Sequence, residues 1–289
     1  MDNITICIAD IAIELKSPLS LTELGIKKRY ESFLEKIENP ISKVTLTWEE
    51  SMKHPEPPGR LIYNPGSIWR MYLSGNNYYA AINYINGEIK QTQALLQTNP
   101  EWNRMRLKEK RREGSWQSLL NVGAGELLFR TSILFSQGIV FHASGIDDNG
   151  KGIVFVGHSG AGKSTQAGIW SNNAGATVMN DDRIAVRFSG NQVFCYGTPW
   201  GGEKDIAKNH KVSLSAIIVL EQSKETSILS LAPPIASPLL LARSFLPYWD
   251  GTLIEKAVTN LNAIVSHTPI YLLRCRPEPD IIPLVRSVL

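Results

Sequence analysis

The sequence predicts an α/β chain in two parts, a mostly β N-terminal domain over 1–115 and an α/β domain over 116–289. Three observations carry this. Short apolar runs separated by turn dipeptides fill the first hundred residues. Helix-period and strand-period stretches alternate from Leu119 onward. Between the apolar run Ile153 to Val156 and a helical stretch stands Gly157-x-x-x-x-Gly162-Lys163-Ser164, the pattern of a phosphate-binding loop.

The N-terminal elements follow from local chemistry. Alternating isoleucines over 1–14 predict a strand or hairpin, and Ile26 to Ile37 carries a helical stripe. Val44 to Trp48 reads as a strand. His54-Pro55-Glu56-Pro57-Pro58-Gly59 forces an extended loop. Leu61 to Tyr63, Ile68 to Leu73, Tyr78 to Tyr84 and Ile89 to Leu95 then read as strands parted by turn residues. Tyr72, Tyr78, Tyr79 and Tyr84 suit cross-strand packing better than a ligand box. Residues 98–115 are polar and predict a linker or an exposed helix. The basic run Lys108 to Arg112 fits a solvated face, with an acidic partner as the minority reading.

In the second part, Leu119 to Phe135 has helical spacing. Residues 138–157 read as a hairpin that delivers the chain to the phosphate loop. Helix follows over 163–171, and strands over 177–180, 183–188, 193–196 and 215–221. Helices are expected near 237–246 and 252–266, then a strand at 270–275 and a closing helix.

Composition narrows the function classes. Of 289 residues, 43% are hydrophobic and 20% charged, and the net charge is +3. That balance argues against nucleic acid and anionic membranes as partners. Cys7, Cys195 and Cys275 are scattered, with neither metal-ligand spacing nor a disulfide framework. The sequence shows no secretion signal or membrane span, so a cytoplasmic protein is expected.

The loop itself runs Gly157, His158, Ser159, Gly160, Ala161, Gly162, Lys163, Ser164, Thr165. Its glycines let backbone N–H groups surround a polyphosphate, and the helix start aims its positive end at the same anion. Lys163 supplies a point charge, and the Ser164 hydroxyl suits Mg2+. Asp181 and Asp182 come 18 residues after Lys163, at the end of the next strand. Strand-end carboxylates beside a phosphate loop suit metal handling and base catalysis. Neighbouring side chains of an extended segment diverge, so one acid can face the metal and the other the nucleophile. His142 ends a strand before the loop, where it reads equally as a phosphate contact or a structural group. Glu203 follows a Gly/Pro turn and could add a metal ligand. Trp200, in that turn, could pack on a base or a substrate.

These pieces together resemble the catalytic domain of HPr kinase/phosphorylase, whose fold is shared with phosphoenolpyruvate carboxykinase. The carriers are Phe141-His142-Ala143-Ser144-Gly145, the loop to Thr165, Asn180-Asp181-Asp182-Arg183, and the segment ending at Glu203, over roughly 138–222. The resemblance implies His142 as the catalytic histidine, Gly157 to Thr165 on the nucleotide phosphates and Lys163 as essential. It further implies Asp181 as general base, and Ser164, Asp182 and Glu203 on the metal. Thr198-Pro199-Trp200-Gly201-Gly202-Glu203 departs from the family's signature for phosphorolysis. The chain is most similar to HPr-kinase-like proteins of peptide natural-product pathways, some acting on lasso-type precursors.

The expectation is therefore an ATP- and Mg2+-dependent kinase for a serine hydroxyl on a peptide or small protein. The N-terminal domain is the expected substrate-recognition part. A kinase of free serine and a nucleotide-gated binding module are the alternatives. The family's rings leave a homo-oligomer open.

Overall fold

The hairpin β1 (Asp2–Ile8) and β2 (Ile11–Ser17) starts the computed structural model, which describes residues 2–26, 28–34, 37–66, 68–83, 91–111, 117–121, 123–202, 204 and 206–289. Its turn places Ala9 and Asp10 at positive φ, 51° and 63°. Positive φ at both central residues fits the twist of the flanking strands. β3 (Ser42–Glu50), β4 (Arg60–Tyr63), β5 (Trp69–Ser74), β6 (Asn77–Asn83), β7 (Thr92–Thr98) and β8 (Arg104–Glu109) complete an eight-stranded sheet ordered β1-β2-β3-β8-β7-β6-β5-β4. β2–β3 and β3–β8 are parallel, and the other pairs antiparallel.

Register aligns the apolar side chains across this sheet. Trp48, Leu107, Leu96, Ala80 and Met71 form one buried row over five strands. The 3-10 helix Lys28–Phe33, the 3-10 turn Leu119–Asn121 and α1 (Gly123–Ser132) belong to the same unit. They are tied together by the Tyr30 hydroxyl donating to Leu120 O at 2.9 Å and Asn121 Nδ2 donating to Gly25 O at 2.8 Å. Where a helix was expected over 26–37, the described residues show the 3-10 stretch Lys28–Phe33.

A second correction concerns 98–115, expected as linker or exposed helix. The segment contains β8, an inner strand in which Arg104, Arg106 and Lys108 are exposed while Met105, Leu107 and Glu109 are buried. The period-2 pattern was masked because one of its inward residues is a carboxylate. Glu109 accepts from Trp48 Nε1 and Ser118 Oγ, both at 2.8 Å, and from Leu119 N. Arg112, Tyr84, Asn86, Gly87, Ile89 and the expected boundary at 115/116 lie outside the described residues, wholly or in part.

The chain divides into two compact units: Met1–Phe135 with Pro247–Gly251, and Ser136–Leu246 with Thr252–Leu289. The first unit therefore extends past 115 and takes in a short segment from late in the chain. Trp249 lies there edge-on to Trp69, with ring centroids 5.3 Å apart, and 5.8 Å from Trp102. Asp250 accepts from the Tyr78 hydroxyl.

The second unit starts with β9 (Gly138–Asp148) and β10 (Lys151–Val156), the expected hairpin. α2 (Lys163–Ala174), β11 (Thr177–Asn180), β12 (Arg183–Ser189), β13 (Gln192–Tyr196) and β14 (Lys211–Gln222) follow. β15 (Ser227–Ser230), α3 (Pro233–Leu241), α4 (Gly251–His267), β16 (Ile270–Cys275) and α5 (Ile281–Arg286) close the chain. β15, a short edge strand, had no sequence signal strong enough to predict it. The sheet order is β10-β9-β12-β13-β14-β16-β15, with β11 paired to β9. β10 also pairs with β14, in parallel, so the path β10-β9-β12-β13-β14 returns to its start.

Ile153, Phe155, Ile218, Leu220 and Leu273 point one buried face at Trp170 of α2 and Ile281 and Val285 of α5. This packing seats α2 against parallel strands and fixes where the loop before it lies. The molecule as described is a mixed α/β fold with two large sheets. No helix among the described residues is long and apolar enough to cross a membrane.

Candidate functional site

The loop 157–162 leaves the C-terminal end of β10 and turns directly into α2. β14 runs parallel beside β10, and Gln222 at its end donates from Nε2 to Gly160 O at 2.9 Å. Ligands of parallel sheets gather at this strand end. Gly160 and Gly162 have φ of 78° and 97°, a conformation that a side chain would strain. Gly157 is required for space instead, since a Cβ there would lie 2.7 Å from Ala161 Cβ. Two glycines of the loop thus hold a backbone that a side chain would strain, and a third leaves no room for one.

Lys163 is buried at the first turn of α2. Its ammonium donates to Gly157 O at 3.3 Å and His158 O at 3.2 Å, spanning the loop. Burial, and then the nearby Arg243 guanidinium, hold its pKa below the usual lysine value. The His158 ring is exposed, and its Nδ1 lies 2.6 Å from the adjacent Ser159 carbonyl oxygen. Ser159 and Thr165 are exposed, and Ala161 is buried against the core.

The acid pair is carried by one buried side chain, Asn180. Its Oδ1 accepts from Asp182 N at 2.8 Å and Arg183 N at 2.7 Å, while its Nδ2 donates to Thr198 O and Trp200 O. This is a side-chain-stapled turn, and it binds the turn to the 198–200 segment. The Ser164 hydroxyl donates to Asp181 O at 3.2 Å, and the Ser144 hydroxyl to the same oxygen at 3.1 Å. The acid turn thus sits against the start of α2.

The two carboxylates diverge, as the sequence predicted. Asp181, 4% exposed, accepts from Gly202 N at 2.8 Å and Lys204 N at 3.3 Å. A Cβ on Gly202 would come within 3.0 Å of this carboxylate, so the glycine permits the approach. Asp182 Oδ1 lies 3.0 Å from His142 Nε2, and Oδ2 accepts from Arg183 Nη1. The His142 side chain is 40% exposed, with Phe245 6.2 Å away by ring centroids. His142, Asp181, Asp182, Lys163 and Ser164 are therefore assembled in one neighbourhood.

Sequence reasoning missed Arg243. It follows α3, and its carbonyl accepts from His142 N at 2.8 Å. Phe245 N likewise bonds to Val140 O, which lays this segment along β9. The guanidinium then acts electrostatically on Lys163. No motif marks Arg243, since an arginine after Leu239-Leu240-Leu241-Ala242 has no spacing tied to the loop. Trp200, which could have packed on a base or a substrate, is only 4% exposed, so it packs within the unit rather than presenting an open face. Glu203 lies outside the described residues. Among the described residues, no group of three or more His, Cys, Asp or Glu stands ready to hold a metal unaided.

No family model matches the chain. No curated protein matches it either. Among solved structures, the HPr(Ser) kinase/phosphatase from Coxiella burnetii is similar over 52% of this chain and 92% of its own, with 12% identity and a TM-score of 0.30.

Proposed function

We propose that the chain is an ATP- and Mg2+-dependent kinase that phosphorylates a serine hydroxyl on a peptide or small protein. One observation carries the reading: the Ser164–Asp181 hydrogen bond brings the acid turn against the phosphate cradle. A nucleotide holder needs the cradle, whereas a transferase also needs a base beside it.

Asp181 is the proposed base. Its carboxylate is oriented by neutral amides, which leave lone pairs to take the hydroxyl proton. Asp182 has both oxygens taken up by His142 and Arg183. Asp182 would hold His142 in place. Lys163 and Arg243 would balance the charge of the transferring phosphoryl group. The oxygen donors of Ser164 and the acid pair suit Mg2+, which supplies charge neutralisation of the phosphates when bound. The acceptor is a substrate serine, and a lasso-type precursor peptide is the candidate we would try first.

The test is incubation with ATP, Mg2+ and serine peptides, read by mass shift. Asp181→Asn should keep ATP binding and lose about 10²- to 10⁴-fold in transfer. Transfer to free serine alone would indicate a metabolite kinase. ATP binding without any transfer, in the unaltered chain, would indicate a nucleotide-gated module and end the kinase reading.

A further inference from the structure

The face of the first unit's sheet that carries the exposed residues of β8 holds a groove lined by none of the loop residues 157–165. Cross-strand register sets one row on it: Thr47, Arg106, Gln97, Tyr79, Tyr72. Two cavities of about 280 and 210 Å3 lie along this row. Both are lined by Gln97 and Arg106, so the two adjoin along this row. Asn77, Asn99 and Arg104 line the first, and Pro58, Tyr79 and Lys108 the second.

The charge of the groove comes from β8. Arg104, Arg106 and Lys108 are exposed at alternate positions, which puts them in line at a repeat of about 7 Å. Glu49 pairs with Arg106 at 3.0 Å. Glu56 is the one carboxylate among the lining residues. Arg104 and Lys108 make no ion pair among the described residues. With Glu49 on Arg106 and directly opposite Lys108, and Glu56 in the lining, three cations face two carboxylates, a net excess of one positive charge on a concave surface.

We propose that this groove docks an extended acidic peptide segment with carboxylates at alternate positions. Such a segment repeats on one side at about 7 Å, the spacing of the cations. The amides of Asn77, Gln97 and Asn99 can each donate to and accept from a peptide backbone. Tyr79, Pro58 and Leu95 supply apolar surface beneath it. The proposal deepens the kinase reading and rests on it for its use: docking raises the effective concentration of a serine on the same peptide. A single-stranded nucleic acid is the competing occupant. One lining ring, Tyr79, and a net charge of only +3 favour the peptide.

The experiment uses the full chain and a fluorescein-labelled peptide with Asp and Glu at alternate positions, read by anisotropy. Binding should weaken as salt rises from about 50 to about 300 mM. The double variant R104E/K108E should bind at least about tenfold more weakly, with an unchanged melting curve showing that it is folded. Its turnover of a short neutral serine peptide should be unchanged. Lys163→Ala should lose nucleotide binding and keep peptide binding, so failure of the kinase reading and failure of docking are told apart. Absence of peptide binding overturns the proposal. So does equal binding by R104E/K108E, equal binding of a peptide with Lys in place of Asp and Glu, or tighter binding of a labelled single-stranded RNA.

Discussion

Arg243 acts electrostatically on Lys163, a cation beside the loop proposed to hold phosphates, an arrangement that costs energy until negative charge arrives. Burial and Arg243 both depress the pKa of Lys163. Triphosphate binding should raise it again. The complex then holds more protons than the free protein in the alkaline range between the two values. ATP affinity should therefore fall as pH rises through the free-protein value, with proton uptake on binding. Calorimetry in buffers of different ionisation enthalpy reads this directly. Arg243→Met should move the fall to higher pH, because it removes one of the charges that depress Lys163. The same variant should lower kcat about a hundredfold, measured by phosphoryl transfer at saturating ATP. At this scale Lys163 and Ser164 were legible because fixed spacing from two glycines defines them. Arg243 was not, since only the pairing of 243–245 along β9 brings it to the site.

β8 shows how a charged sequence can make an inner strand. Its inward carboxylate, Glu109, is 1% exposed and takes three hydrogen bonds. Burial raises its pKa above 4.5, against the pull of its donors from Leu119, Trp48 and Ser118. The native state then keeps the proton to higher pH than the unfolded chain does. This contribution to stability is complete below about 4.5 and is lost as pH rises through the native value. Glu109→Gln, which cannot ionise, lacks that dependence, so wild type minus variant stability should decline from acid toward neutral pH in thermal melts. Glu109→Ala strands three donors and should cost about 2–4 kcal/mol in denaturant titrations. Strands such as β1, β2 and β3 were legible because their inward residues are apolar, as in Ile6, Ile13 and Val44, whereas β15 has no buried residue to mark it. In β8 the reading failed because polar residues occupied both faces at one end of the strand. The Asn180 turn was legible as chemistry but not as a staple, since its acceptors at Thr198 and Trp200 are distant in sequence.

For the whole molecule, the change in periodicity carries no sign that the first unit is discontinuous. Nothing in Pro247-Tyr248-Trp249-Asp250-Gly251 announces that it belongs with strands near residue 70. Trp249 is the anchor of that segment, 8% exposed among Tyr63, Trp69 and Trp102. Trp249→Ala should destabilise the first unit by about 3–5 kcal/mol, followed by chemical unfolding. The segment also has a consequence for biosynthesis. Domains usually mature in order as the ribosome releases them. Here the opening unit stays short of its last tryptophan until residue 249 has been translated, after most strands of the later unit have already been made. Early release from the tunnel would leave an aromatic surface waiting for its cover, and a nascent chain arrested before that point should be the form most readily caught by chaperones.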